Sequence, residues 1–151
     1  LLLLRGSVCV YQGEELAFDD VRDIPVEQMQ DPWGIEFAPV FMGRDTCSTP
    51  MVWQKDAPQG GFSTANKTWL PIATQHLKRA GLDEVKRPNS TYNAYAKFLK
   101  WRKKQAAMMT SNTMSELSGE DHQIVFDRIS DTQTLRCCFD FKTLTATFEE
   151  I

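Results

Sequence analysis

Residues 19–71 carry Pro25, Pro32, Pro39, Pro50, Pro58 and Pro71 together with Gly34, Gly43, Gly60 and Gly61. Each proline fixes φ and removes a backbone donor, so no long helix or strand can run through this stretch. Disorder is excluded by the same residues' neighbours: Trp33, Phe37, Phe41, Trp53, Phe62 and Trp69 supply more apolar surface than an unfolded segment tolerates. The stretch is therefore expected to be a long, ordered, irregular loop, and structured loops of this length are commonly functional. Aromatic rings interleaved with Asp31, Arg44 and Asp45 suit a sugar, whose C–H face lies on a ring while its hydroxyls take charged partners. More than half of these rings are expected simply to fasten the loop to its scaffold.

Composition narrows the partners. The chain has 151 residues, 42% of them hydrophobic and 25% charged, as in a globular protein able to bury a core. Seventeen Lys and Arg against 20 Asp and Glu leave a net charge of −3, which gives no general attraction to nucleic acid or anionic lipid. The apolar run Leu1 to Leu4 stops at Arg5-Gly6, too short to span a membrane and without the basic flank of a signal peptide. It reads as the end of an element begun upstream, and the last residues still alternate like a strand, so both ends of the sequence look cut.

Around the loop the pattern is more regular. Residues 7–11 (SVCVY) read as a buried strand of parallel-sheet type, with Gln12-Gly13-Glu14-Glu15 at its carboxyl end, where ligands bind in α/β architectures. Residues 89–104 predict a helix, N-capped by Ser90, with Tyr92, Tyr95, Ala96, Leu99 and Arg102 on one stripe, widened by Phe98 and Trp101. Its basic last turn complements the helix dipole and is not read as a nucleic-acid patch. Residues 124–129, 134–141 and 144–148 predict antiparallel strands, and the shift from helix to strand near 106–111 marks a domain boundary. The division expected is thus 1–107 and 108–151. Cys9, Cys47, Cys137 and Cys138 lack metal or redox spacing and are expected to be small buried thiols in a reducing cytoplasm, the last two facing opposite sides of a strand. His76 and His122 fit no metal or triad spacing and are expected to be surface or satisfied histidines.

These residues carry a specific resemblance. Gly6-Ser7-Val8-Cys9-Val10-Tyr11-Gln12-Gly13-Glu14-Glu15 resembles the eighth barrel strand of glycoside hydrolase family 13. Asp31-Pro32-Trp33-Gly34-Ile35, Gly43-Arg44-Asp45-Thr46-Cys47-Ser48-Thr49-Pro50-Met51-Val52-Trp53, Gly60-Gly61-Phe62-Ser63 and Trp69-Leu70-Pro71 follow in the order and spacing of that family's bacterial α-glucosidases. The helix ending in Trp101-Arg102 is similar to the eighth barrel helix. The likeness covers residues 1–107 well and the rest more loosely.

The resemblance implies an α/β fold: the C-terminal portion of a (β/α)8 TIM barrel followed by part of an antiparallel β-sandwich domain. A complete barrel needs roughly 250 residues and cannot be present. It also implies a retaining α-glycosidase with an Asp nucleophile, a Glu acid/base and a second Asp, all before the eighth strand, so no catalytic residue maps onto this chain. Arg44, Asp45 and Ser48 are implied as substrate-binding, and Tyr11, Gln12, Glu14 and Glu15 as structural rim of the pocket. Glu14 and Glu15 do not form a catalytic pair, because adjacent residues on an extended segment face opposite ways. Ser48 departs from the related pattern, where an arginine holds the terminal glucose; serine has neither its charge nor its planar fork of donors. Gly81-Leu82-Asp83-Glu84 is a second departure, in the connection before the last helix. The expected partner is a small α-glucoside or malto- or isomalto-oligosaccharide, with no cofactor, metal, nucleic acid or membrane. The alternative is a non-catalytic interaction or structural relative of the α-amylase superfamily. Parted from the rest of a barrel, the chain is expected to be inactive and aggregation-prone.

Overall fold

The computed structural model describes residues 1–111 and 113–151. The chain forms two compact units, Val10–Tyr95 and Leu1–Cys9 with Ala96–Ile151.

The first unit is built from short pieces, as its proline and glycine content dictates. Helix α1 (Pro32–Phe37) begins with Pro at its first position and is capped by Asp31, whose side chain accepts from Trp33 N. Single 3-10 turns occupy Glu14–Leu16, Val26–Gln28, Asp45–Cys47, Pro58–Gly61 and His76–Arg79. Val21, Ile24, Met29 and Ala73 form its small core, with Ala38 and Met42 packed alongside. Helix α2 (Gly81–Lys86) occupies the connection before the last helix. Its first amides, Gly81 N and Leu82 N, donate to Val52 O and Trp53 O, which ties the connection to the loop. Glu84 in α2 is buried and pairs with Arg87 at 2.8 Å.

Residues 7–11 form no ladder among the described residues, contrary to the strand expected there. A strand of parallel type draws its hydrogen bonds from neighbouring strands, and the described residues supply none beside it.

Helix α3 (Thr91–Arg102) matches the predicted helix, and Ser90 caps it: Ser90 Oγ accepts from Asn93 N at 3.1 Å. Its first residues belong to the first unit and its remainder to the second. In the second unit, α4 (Ala106–Met109) precedes a four-stranded antiparallel sheet in the order β1 (Thr113–Met114), β2 (Gln123–Ile129), β3 (Thr134–Asp140) and β4 (Thr145–Glu150). The strands alternate as their sequences require: Phe126 and Arg128 on β2, and Leu135 and Cys137 on β3, are buried. Phe126 pairs with Cys137 and Val125 with Cys138, so the two adjacent cysteines do face opposite ways. Phe98 and Trp101 of α3 pack with Phe148 of β4 at ring distances of 5.6 and 5.4 Å, closing a core with Leu3, Ala107 and Met108. Beside it Arg128 is buried, without a carboxylate partner among the described residues, and donates to Leu3 O and Ser111 O at 2.8 and 2.7 Å. Burial pulls its pKa down, and Arg102 adds to the effect.

Cys137 is buried, and burial pushes its thiol up to about 11. Cys9 and Cys47, by contrast, are exposed, because they sit in irregular backbone and not within a packed sheet. Among the described residues, no helix is long and apolar enough to cross a membrane.

Candidate functional site

The site grows out of one crossing in the loop unit. Gly34, inside α1, lies against the backbone of residues 42–43: a Cβ there would stand 2.7 Å from Met42 O. Gly43 has φ +67°, and a Cβ on it would lie 2.8 Å from Asp31 Oδ2 and 2.9 Å from Gly34 Cα. Only two glycines let the strands of loop approach this closely.

Two aspartates lock the crossing. Asp31 Oδ2 accepts from Arg44 N at 2.7 Å, and its Oδ1 accepts from Trp33 N at 3.1 Å. Asp45 Oδ2 accepts from Gln30 N at 2.6 Å and from Asp31 N at 2.8 Å. Each carboxylate thus holds the backbone beside the other, and both side chains are buried. The Arg44 amide, followed by the Trp33 amide and the Arg44 guanidinium 3.5 Å away, holds the Asp31 carboxyl below the usual carboxylate range against the opposing effect of burial.

The crossing delivers the turn Asp45–Cys47 to the wall of a cleft of about 290 Å³. Thr46, Cys47 and Thr49 line that wall, and Tyr11, Gln12 and Glu14 line it from the segment that follows residue 10. Val21 N donates to Thr46 O at 2.8 Å and fixes the turn from behind. Thus Tyr11, Gln12 and Glu14 come together with the loop as the sequence pattern suggests, whereas Arg44, Asp45, Ser48 and Glu15 are not among the residues lining the cleft. Ser48 is exposed at the end of the turn, its N–H donating to Asp45 O at 3.1 Å. The Arg44 side chain is largely exposed, and Asp45 is only 5% exposed.

Glu14 and Glu15 lie in a 3-10 turn and not on extended backbone, because Gly13 reverses the chain before them with φ +93°. Their side chains nonetheless separate: Glu14 lines the cleft, and Glu15 Oε2 accepts from Gly13 N at 3.0 Å. Burial raises the pKa of the Tyr95 hydroxyl, and the charges of Glu14 and Glu15 push it the same way.

His76 is a residue the sequence reading set aside. It is 4% exposed, lines the cleft, and stacks on Phe18 with ring centroids 4.1 Å apart. Its Nε2 lies 2.9 Å from Asp19 O, a carbonyl that can only accept, so Nε2 donates there, and Nδ1 is buried without a partner among the described residues. It is neither a surface nor a fully satisfied histidine, and no local spacing signals a contact with a residue 57 positions away. Among the described residues, no group of three or more His, Cys, Asp or Glu could hold a metal ion.

A profile of the alpha amylase catalytic domain matches residues 1–111. A probable alpha-glucosidase of Rhizobium meliloti strain 1021 is 40% identical over 149 residues, covering 99% of this chain and 26% of that protein. An oligo-1,6-glucosidase of Halalkalibacterium halodurans is 27% identical over 97% of this chain and 28% of its own length. The crystal structure of the alpha-glucosyl transfer enzyme XgtA superposes with a TM-score of 0.86 at 37% identity, covering 93% of this chain and 26% of that one. The trehalulose synthase MutB of Pseudomonas mesoacidophila MX-45 shares the fold with a TM-score of 0.77 at 20% identity, covering 93% and 28%. The fold is that of the C-terminal portion of a (β/α)8 barrel followed by part of an antiparallel β domain. The chain belongs to the alpha-amylase catalytic-domain family, and it spans about a quarter of the length of the curated relatives it matches.

Proposed function

We propose that this chain is the part of a retaining α-glucosidase that forms one wall of the glucose pocket, in a full-length protein that releases terminal α-linked glucose from short malto- or isomalto-oligosaccharides. The observation that carries the reading is the cleft in which Tyr11, Gln12 and Glu14 meet Thr46 and Cys47, in a chain 40% identical to a probable alpha-glucosidase along nearly all its length. Arg44 and Ser48 stand on the exposed side of the turn to meet the substrate, and Asp45 serves by holding that turn. Residues 1–107 belong to the barrel and 108–151 begin the β domain. Four free thiols fit a cytoplasmic protein.

Retaining hydrolysis needs two carboxyl groups roughly 5 to 5.5 Å apart astride one bond. Glu14, Asp19 and Asp20 line the cleft while Glu15 turns back to Gly13 N, and the family resemblance implies that the nucleophile and acid/base precede the eighth strand, outside this sequence. The full-length protein should release glucose from maltose, isomaltose or an aryl α-glucoside, with the α-anomer appearing first by proton NMR. The 151-residue chain alone should release none. First appearance of the β-anomer would overturn the retaining assignment. Ser48, at a position where related α-glucosidases have arginine, favours a second reading as a non-catalytic relative. Absence of turnover by the full-length protein on all three substrates would establish that reading.

A further inference from the structure

We propose that Asp31 is a positioning residue: by gripping the Arg44 amide it sets the turn that carries Thr46 and Cys47 into the cleft. The kinetic part of this inference rests on the α-glucosidase reading, and its structural part does not.

The two aspartates of the crossing differ in how they use their oxygens. Asp45 presents one oxygen, Oδ2, to both Gln30 N and Asp31 N. Asp31 uses both: Oδ1 faces Trp33 N, and Oδ2 faces Arg44 N and the Arg44 guanidinium. An asparagine at 45 can turn its single carbonyl oxygen to the same two amides and keep both bonds. An asparagine at 31 must point an NH2 group at an N–H donor, whichever way it is flipped, because both oxygens of the native residue accept. Asp31 is only 8% exposed, so water cannot readily stand in for the lost acceptor.

The bond to Arg44 N is the one that matters for the cleft; an asparagine can keep it by turning its NH2 toward Trp33 N, and a serine cannot. Between Arg44 and Ser48 the turn is held by its own backbone bonds, Cys47 N to Arg44 O and Ser48 N to Asp45 O, and by Val21 N on Thr46 O. Gly43 at φ +67° immediately precedes it and resists no rotation by itself. The grip of Asp31 on Arg44 N therefore fixes the direction in which the turn leaves the crossing. A wall displaced by about 1 Å can cost as much as a hundredfold in activity. Since this chain shapes binding and supplies no acid or nucleophile, the loss should fall on KM.

The test uses the full-length protein with Asp31→Ser, Asp31→Thr and Asp45→Asn. Serine keeps a good N-cap for the Trp33 amide but cannot reach Arg44, which separates the cap from the grip while preserving α1. Two quantities are read: amide exchange of residues 46–49, none of which bonds to Asp31, and KM with kcat on an aryl α-glucoside. Asp31→Ser and Asp31→Thr should each speed that exchange and raise KM by about tenfold, with kcat within about threefold, while Asp45→Asn changes either by less than about threefold. A merely structural role would lower the amount of active enzyme and leave KM alone. Wild-type exchange in Asp31→Ser, or equal effects of Asp31→Ser and Asp45→Asn, would overturn the proposal, and Asp31→Thr decides it should Asp31→Ser fail to fold. Absence of turnover by the wild type would overturn the α-glucosidase reading, and the exchange rates would then decide whether Asp31 sets the turn.

Discussion

The two units solve the same problem by opposite means. In the sheet unit, backbone groups pair with one another along β2, β3 and β4, and order follows from ladders closed over rings such as Phe126, Phe139 and Phe148. In the loop unit, backbone amides at Gln30, Asp31, Trp33 and Arg44 have no ladder and are taken by carboxylates instead. Buried amides must find an acceptor in either case. The difference teaches where each unit is vulnerable: the sheet to loss of apolar volume, the loop to loss of a single acceptor or of the space around a glycine.

Local amide exchange in the full-length protein reads the two units separately and can break this contrast. The largest effect is expected from Phe126→Ala, which removes a ring that is 2% exposed and stacked 6.0 Å from Phe139. The cost should be about 3–5 kcal/mol. Protection in β2 and β3 should fall by two to three orders of magnitude or more, and residues 44–49 should exchange as before. Equal loss of protection in both units would mean that they unfold as one and that the contrast is false.

Gly43→Ala is the reciprocal experiment. The substitution places a Cβ at φ +67° and within 2.9 Å of Gly34 Cα. The backbone strain alone costs about 1–3 kcal/mol. Amides of residues 30–31 and 44–48 should lose protection together, with β2 and β3 untouched. Normal exchange throughout would show that the crossing can relax and that the aspartates hold it without help from the glycines.

The contrast also explains what the sequence could reveal. Helix α3 and strands β2 to β4 were legible because periodicity and burial agree: Phe126 and Arg128 alternate on one strand, and Ser90 announces the helix start. The irregularity of residues 19–71 was equally plain from proline and glycine. What those residues do inside the loop was not. Asp31 and Asp45 look from the sequence like charged partners for a sugar, yet both carboxylates face backbone amides 13 to 15 positions away. No period connects such residues, so only the folded crossing shows them working on each other. The strand expected at 7–11 fails for a related reason, since a parallel strand is defined by neighbours and not by its own composition. His76 was missed because its partners, Phe18 and Asp19 O, are brought to it by the fold of the whole unit.

The smallest effect sharpens the comparison within the sheet unit, where one carboxylate works as those of the loop do. Asp140 ends β3 and accepts from Gln123 Nε2 at 3.0 Å, from Thr143 N at 2.8 Å and from Lys142 N at 2.9 Å, with His122 Nε2 at 3.5 Å. The Gln123 side chain first, then the Thr143 amide, lowers its pKa from 3.8 to about 2. A folded pKa below the unfolded one means that the proton favours the unfolded turn. The stabilisation is therefore whole above about pH 4 and is lost as pH falls through the interval toward 2. Comparing wild type with Asp140→Asn, exchange of residues 141–145 should differ at neutral pH by a small factor, and the difference should close between pH 4 and 2. A difference that stays constant across that range would mean that the side chain's shape, and not its charge, holds the turn, unlike the carboxylates of Asp31 and Asp45 in the loop.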